Sequence, residues 1–169
     1  MEIVVVLDNI RSTYNVGAIL RTVEGLGVKR VIFSGYTPFP GIGSGRLPHV
    51  SEKEAVAIAK TALGAEKLLE LSYSLDITKT LDGLKSGGYM LIGLENNVKD
   101  ERLHQLSEPG IDKALEGKKL VLVLGEEVHG IGADILKKLD CLLEIPMRGK
   151  KESFNVSVAA GIALYELTK

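Results

Sequence analysis

The chain has 169 residues, of which 45% are hydrophobic and 25% charged, and its formal net charge is −1. This length predicts a single domain over residues 1–169, with a core large enough to need neither a metal nor a disulfide. The small net charge excludes a general electrostatic attraction to nucleic acid, although local basic clusters remain available for one.

Cysteine usage and the amino terminus bear on the compartment. Cys141, the one cysteine, lies inside an apolar run, which indicates a reduced, cytoplasmic protein with a buried thiol. The cysteine and histidine clusters of a zinc site are absent from the sequence, so we expect no metal. Met1 leads directly into an apolar run without a targeting signal, and no apolar run reaches the roughly 18 residues of a membrane span.

Short apolar runs alternate with helical patterns along the chain. The predicted strands are Ile3 to Leu7, Val31 to Ser34, Leu68 to Leu71, Tyr89 to Leu94, Leu120 to Leu124 and Leu142 to Ile145. The predicted helices cover Val16 to Leu26, Val56 to Ala59, Leu75 to Leu84 and Ile131 to Leu139. Several strands are continuous runs of leucine and β-branched residues, which is typical of a parallel sheet covered on both faces. The predicted fold class is therefore α/β.

The segment from Gly35 to Val50 interrupts this alternation. It contains three prolines and several glycines, and we expect it to be an irregular loop. A loop of that length is more often functional than idle. Its run Gly41 to Gly45 superficially resembles a dinucleotide-binding loop, but it follows a proline-rich stretch rather than a strand.

The first candidate site motif runs from Asp8 to Arg21, after the first strand and into the first helix. Its polar residues are therefore expected at the carboxyl end of the sheet, where open α/β folds bind ligands. Gly17, Arg21 and Gly25 are four residues apart, and we expect them on one helix face off the apolar stripe. Glycine in a helix costs about 1 kcal/mol relative to alanine, so the pair indicates close approach by a ligand or another backbone. Alternatively, Asn15 caps the helix and Arg21 is solvated.

The second motif runs from Leu120 to Gly132. A buried strand ends at Gly125, and two carboxylates, Glu126 and Glu127, stand before the next helix. Glycines let a backbone approach a ligand, and the helix dipole favours a carboxylate at a helix amino terminus. The alternative is that Glu127 is merely a charge in the first turn of that helix.

The third motif runs from Ile145 to Val156. A strand stops at a proline, a basic glycine loop follows, and Ser153 and Asn155 open a helix that is apolar on nearly all sides. Because buried polar groups need partners, these two side chains either cap the helix or bind a ligand. The basic residues of the loop are Arg148, Lys150 and Lys151, and the alternative to a binding role is that they are simply solvated.

One shared site accounts for three similar strand-ending loops better than three separate caps. A hydrolase triad of Ser153, His129 and an acidic residue is weakly supported, because the chain has no Gly-x-Ser-x-Gly motif.

Together, the three motifs resemble the signature of the SPOUT superfamily and, within it, the TrmH/SpoU family of RNA ribose 2′-O-methyltransferases. The resemblance spans Leu7 to the last residue and is weak from about Thr37 to Leu81. Family members commonly have Ser-Leu-Asn where this chain has Ser153-Phe154-Asn155. The matching stretches are Asn15-Val16-Gly17-Ala18-Ile19-Leu20-Arg21, Gly125-Glu126-Glu127-Val128-His129-Gly130, and Ile145-Pro146-Met147 followed by Ser153-Phe154-Asn155-Val156.

The resemblance implies a C-terminal trefoil knot, an exception among protein chains, and a homodimer formed through the helices of the first and last motifs. It implies S-adenosyl-L-methionine as cofactor and tRNA or rRNA as substrate. The family's cofactor loops map to Leu94, Gly125, Ile145, Met147 and Phe154.

The resemblance also assigns roles within the catalytic site. Arg21 is the implied catalytic residue, and Asn15 would fix the first loop and contact the substrate or the other subunit. Glu127 would hold loop backbone, while Ser153 and Asn155 would order the cofactor and catalytic loops. Candidates for salt-dependent contacts to RNA phosphates are Arg11, Arg46, Arg148, Lys150 and Lys151.

Two alternatives stay open at this point. The alternatives to a ribose 2′-O-methyltransferase are a non-catalytic knotted protein that binds RNA or a partner, and a methyltransferase that modifies an RNA base. The sequence also predicts no appended RNA-binding domain, so RNA recognition would fall to the dimer surface and the Gly35 to Val50 loop.

Overall fold

A computed structural model describes residues 2–96 and 98–169. The strands are β1 (Glu2–Asp8), β2 (Arg30–Ser34), β3 (Glu70–Ser74), β4 (Tyr89–Leu94), β5 (Leu103–Gln105), β6 (Lys119–Leu124) and β7 (Cys141–Glu144). The helices are α1 (Thr13–Gly25), α2 (Pro48–Ala62), α3 (Ile77–Ser86), α4 (Ile111–Leu115), α5 (Ala133–Leu136) and α6 (Val156–Thr168), with a short 3-10 helix at Ala65–Lys67. The strands form one seven-stranded sheet in the order β3-β2-β1-β6-β4-β7-β5, and every pairing is parallel. The predicted α/β class and parallel sheet are confirmed.

Strand β1 shows why the central strands read as continuous apolar runs. Its alternate residues belong to the cores on opposite faces of the sheet, because successive side chains of a strand point to opposite faces. Ile3, Val5 and Leu7 pack in one core, while Val4 and Val6 pack in the other. The first core lies between the sheet and helices α1, α2 and α6, and the second contains residues of α3 and α5.

Two strand predictions need correction, and both concern the outer part of the sheet. The strand predicted over Leu68 to Leu71 is in fact Glu70–Ser74, because Leu68 is 71% exposed and follows the 3-10 helix. Strand β5 was missed, since its three residues, Leu103–Gln105, contain no apolar run. Both strands lie at an edge of the sheet and pair with a neighbour on one side only. Because they are less buried than the central strands, their sequences show only a weak hydrophobic pattern.

Two helix predictions also need correction. The last three residues of the Gly35 to Val50 segment belong to α2, which begins at Pro48. Proline suits the first helical position, because the amide it lacks would have no partner there. In the stretch from Ile131 to Leu139, only Ala133–Leu136 is helical.

Helix α6 is apolar on nearly all sides, as expected from the sequence. Ala160, Ala163, Leu164 and Leu167 are buried, whereas Val158 and Tyr165 are 49% and 58% exposed. Cys141 is a buried free thiol, as predicted. Within residues 2–96 and 98–169, no helix is long and apolar enough to cross a membrane, and no group of three metal-ligating side chains comes together. The trefoil knot stays a prediction.

Candidate functional site

A cavity of about 550 Å³ lies at the carboxyl ends of β4, β6 and β7. Its walls include Leu94, Gly125 and Ile145, which stand where these three neighbouring strands end. Phe154, from the loop before α6, also lines it. Four of the five residues predicted to hold a cofactor therefore share one cavity. The fifth, Met147, is half-buried and is not part of the wall.

The loop after β4 ties the cavity walls together, and the sequence motifs did not include it. Asn96 donates from Nδ2 to the carbonyls of Ile145 at 3.1 Å and Glu152 at 3.4 Å. The Glu95 carboxylate accepts a hydrogen bond from the backbone N–H of Ile131. Burial raises the pKa of Glu95, although the hydrogen bonds from the backbone of Ile131 and Asn96 act to lower it. The available signal was a polar pair directly after a buried strand.

Two glycines, Gly125 and Gly130, contribute backbone without a side chain to the cavity wall. A Cβ on Gly125 would lie 2.4 Å from the carbonyl carbon of Gly130, so no larger residue fits there without a shift. Gly130 has a φ of +70°, and a Cβ on it would lie 2.3 Å from Glu95 Oε1. These two glycines let the loop after β6 fold back on itself at Glu126 and Gly130.

A chain of side-chain hydrogen bonds joins the three sequence motifs. Asn15 donates from Nδ2 to Glu127 Oε1 at 3.0 Å, and Asn155 donates from Nδ2 to Asn15 Oδ1 at 3.2 Å. The other Glu127 oxygen accepts the backbone N–H of Arg11 at 3.2 Å. Asn15 is thus brought together with Glu127 and Asn155, which lie 112 and 140 residues further along the sequence.

The pKa of Glu127 reflects this network. Partial burial acts to raise it, but the hydrogen bond from the Asn15 side chain and those from backbone N–H groups outweigh burial and hold the pKa below its usual value. Glu127 is therefore a carboxylate at neutral pH, able to accept hydrogen bonds from the Asn15 side chain and from the backbone of the loop before α1. It lies in the loop before α5 rather than in the first turn of that helix, so the alternative reading of Glu127 is wrong.

The caps differ from those expected from the sequence. Ser12, rather than Asn15, caps α1 by accepting the Asn15 N–H at 3.3 Å. Asn155, rather than Ser153, caps α6 by accepting the Ser157 N–H at 2.9 Å. Ser153 instead lines the cavity, with no hydrogen bond to another residue of the described chain. Its hydroxyl is therefore available to a ligand.

Arg21 lies on α1 with an exposed side chain, and within the described residues it makes no hydrogen bond or ion pair. Gly17 is buried against α2, where a Cβ would lie 2.4 Å from the Ile58 carbonyl oxygen. Gly25 has nothing within 4 Å of an added Cβ. The expectation that Gly17 lies off the apolar stripe is therefore wrong, because Gly17 is buried. The close approach predicted there is made by another backbone.

The predicted RNA-contacting residues fall into two groups. In the first group, Arg11 forms an ion pair with Glu126. Arg46 is partly buried, forms an ion pair with Glu54 and donates a hydrogen bond to the Tyr36 carbonyl, which gives it a structural role. The remaining cations are exposed in the loop before α6. These are Arg148, Lys150 and Lys151.

The chain is thus an α/β protein with an open, all-parallel sheet and a ligand-sized cavity at the carboxyl edge of that sheet. Three loops, linked by asparagine and glutamate side chains, frame the cavity. The chain belongs to the SpoU rRNA Methylase family, whose model matches residues 2–165.

Individual relatives agree with this membership. The chain is 30% identical over 172 residues to a putative TrmH family tRNA/rRNA methyltransferase of Staphylococcus haemolyticus, covering 99% of this chain and 58% of the relative. It is 26% identical over 167 residues to one from Bacillus subtilis, covering 96% of this chain and 56% of the relative. The chain thus spans somewhat more than half the length of these curated relatives.

Solved structures show the same fold. An AdoMet-bound rRNA methyltransferase from Sinorhizobium meliloti superposes with a TM-score of 0.78 at 21% identity, covering 98% of this chain and 55% of that one. A TrmH/SpoU tRNA modifying enzyme from A. aeolicus superposes with a TM-score of 0.77 at 24% identity, covering 99% of this chain and 74% of that one.

Proposed function

We propose that this chain transfers a methyl group from S-adenosyl-L-methionine to a ribose 2′-hydroxyl of tRNA or rRNA. The observation that carries the proposal is the Asn155-Asn15-Glu127 chain of hydrogen bonds at the cavity, since it joins the three family motifs in one place. The proposal includes a homodimer, a cytoplasmic location and the knot implied by the family.

The cavity fits the proposed cofactor. Its volume of about 550 Å³ lies within the range of roughly 300–1,000 Å³ found for ligand pockets. Leu94, Ile145 and Phe154 offer apolar surface for a nucleoside, and the bare backbone at Gly125 allows close contact. When bound, S-adenosyl-L-methionine supplies an electrophilic methyl group on a sulfonium.

The protein's part in the reaction is to position the hydroxyl and favour loss of its proton. Glu127 and Asn155 hold the loops that frame the cavity, and Ser153 offers it a free hydroxyl. Arg21 does not serve as a literal general base, because its guanidinium group offers only hydrogen-bond donors and no acceptor for the proton. We expect Arg21 to grip a neighbouring phosphate and stabilise the developing alkoxide, worth about 3 kcal/mol.

The test is Arg21→Ala, followed by calorimetric titration with S-adenosyl-L-methionine and by a methyl-transfer assay on cellular RNA. We expect cofactor affinity within about twofold of wild type and transfer lowered at least about 100-fold. Arg30→Ala, an exposed arginine at the amino end of β2, is the control and should change neither. Equal loss of binding and transfer in Arg21→Ala would make Arg21 structural.

Two other functions would give different results in the same experiments. A non-catalytic RNA- or partner-binding protein should give no heat with S-adenosyl-L-methionine. A base methyltransferase should bind the cofactor but leave the methyl group on a nucleobase.

A further inference from the structure

An aromatic ring and a guanidinium lie together in the open beside the cavity. Tyr36 is 42% exposed, and the guanidinium carbon of Arg11 lies 5.6 Å from the centre of its ring. Arg11 Nε donates to the Tyr36 hydroxyl at 3.4 Å. We name this pair the Tyr36–Arg11 platform.

The platform adjoins the proposed transfer site. The Arg11 guanidinium pairs with Glu126, and the Arg11 backbone N–H donates to Glu127 at 3.2 Å. Both carboxylates line the cavity. The Glu126 side chain therefore lies between the platform and the cavity where we locate the cofactor.

Hydrogen bonds to both the backbone N–H and the backbone carbonyl of Tyr36 fix the turn that carries this residue. Gly35 has a φ of +62°, and a Cβ on it would lie 1.9 Å from Asn9 Oδ1, so glycine is required. Asn9 Oδ1 accepts the Tyr36 N–H at 3.1 Å, and the Tyr36 carbonyl accepts a hydrogen bond from Arg46. Arg46 is in turn fixed by its ion pair with Glu54 of α2.

The buried polar residues of the described chain converge on this same turn. They are Asp8, Ser34 and Thr37, which are 4%, 1% and 0% exposed. Ser34 Oγ donates to Asp8 Oδ1 at 2.6 Å, and Thr37 Oγ1 donates to the Leu7 carbonyl at 2.9 Å. Burying polar groups is costly unless they are hydrogen-bonded, so their concentration here indicates a turn built to hold one exposed ring in place.

We propose that the Tyr36–Arg11 platform stacks a base of the RNA substrate beside the ribose that is methylated. The proposal rests on the proposed function and adds the element that holds the nucleotide. Unpaired RNA bases stack on aromatic rings and on guanidinium planes, and such stacking tolerates any base. The occupant we assign is therefore a base of a single-stranded or looped RNA segment, extruded from its neighbours.

The test uses an oligouridylate that carries a single 2-aminopurine, whose fluorescence is quenched when the base stacks. The variants are Tyr36→Ala, Tyr36→Leu, which keeps apolar bulk without a ring, and Tyr36→Phe, which keeps the ring. The control is Tyr89→Ala, because Tyr89 forms a matching pair with Lys119 at 5.5 Å at the amino ends of β4 and β6. Circular dichroism confirms that each variant is folded.

We expect Tyr36→Ala and Tyr36→Leu to weaken binding about 5- to 100-fold and to abolish quenching. Tyr36→Phe keeps the ring and should still quench, although it loses the hydrogen bond from Arg11 Nε. Tyr89→Ala should bind and quench as wild type does. Unchanged binding in Tyr36→Ala, or no binding by wild type, would overturn the platform. A change of molar mass in Tyr36→Ala by light scattering would overturn it too, by assigning the surface to a second copy. Methyl transfer by wild type, measured separately on cellular RNA, distinguishes failure of the platform from failure of the proposed function.

Discussion

At the scale of single residues, the site depends on the amide of Asn15. Its Nδ2 donates to Glu127 while its Oδ1 accepts from Asn155, so one side chain uses both of its hydrogen-bonding ends. An aspartate at this position would lose the donor, and a serine would be too short to reach both partners. The amide thereby couples the first motif to the second and to the third.

A double-mutant cycle tests this coupling. We expect Asn15→Ala and Asn155→Ala to be non-additive by about 0.5–1.5 kcal/mol in the free energy of unfolding, since each removes the same hydrogen bond. The cycle cancels the separate cost of losing the α6 cap. Asn15→Ala combined with Tyr89→Ala, at the opposite end of the sheet, should be additive in denaturant unfolding. Additivity in the Asn15 and Asn155 pair would show that the bond contributes nothing.

The sequence predicted that Asn15, Glu127 and Asn155 would meet, because the carboxyl ends of parallel strands lie at one edge. It did not predict which atoms pair. Ser12 and Asn15 are both good caps, and only the backbone geometry of the first turn selects Ser12. Glu95 and Asn96 were missed because their partners, Ile131 and Ile145, become neighbours only in the folded sheet.

At the scale of elements, helices α1 and α2 pack through Gly17. A Cβ there would lie 2.1 Å from Thr61 Oγ1 and 2.4 Å from the Ile58 carbonyl oxygen, and the second contact is with backbone that cannot rotate away. The glycine therefore sets how closely the two helices approach. Because α1 also carries Asn15 and Arg21, this contact positions the first motif.

The two glycines of α1 make a matched pair for testing this packing. We expect Gly17→Ala to lower the free energy of unfolding by about 1–3 kcal/mol through overpacking, despite the higher helix propensity of alanine. Gly25→Ala adds a methyl group with nothing within 4 Å and should leave stability unchanged or raise it by up to about 1 kcal/mol. Equal stability of the two variants in urea unfolding would refute the close approach.

The bounds of the buried strands were predicted from the sequence more accurately than those of the outer strands. Strands β1, β4 and β6 were predicted nearly to the residue, because both of their faces are covered and their sequences are continuously apolar. The outer strands β3 and β5 have half-buried and exposed residues, which give little periodic signal. For such strands, pairing with a neighbour decides the boundaries.

At the scale of the whole molecule, α6 leaves an apolar stripe uncovered in the single chain. Val158 and Tyr165 are exposed, and the half-buried Ile162 lies between them at helical spacing. Tyr14 on α1, the helix that packs against α6, is also 57% exposed. Exposed apolar patches of this kind mark interaction surfaces, which supports the proposed homodimer.

Charge placed on the stripe should break the dimer. We expect wild type to have twice the mass of one chain by light scattering and Val158→Lys to have the mass of one chain, because a buried unpaired charge is costly at an interface. Val56→Lys, at a 64% exposed valine of α2, is the control and should remain dimeric. A monomeric wild type, or a dimeric Val158→Lys, would place any interface elsewhere.

Global topology was beyond what periodicity could provide. Hydrophobic patterns identify strands but not the order of the strands in the sheet. In the order β3-β2-β1-β6-β4-β7-β5, strand β6 lies between β1 and β4, neither of which is its neighbour in the sequence. The knot rests on family resemblance alone. The single-domain extent over residues 1–169 also stays a prediction.

Ribose methylation is tested by nucleoside analysis of RNA after incubation with the purified protein and S-adenosyl-L-methionine carrying an isotopically labelled methyl group. We expect label in a 2′-O-methylated nucleoside, and loss of that label with Arg21→Ala. Label on a nucleobase, or no label in any cellular RNA despite cofactor binding, would contradict it.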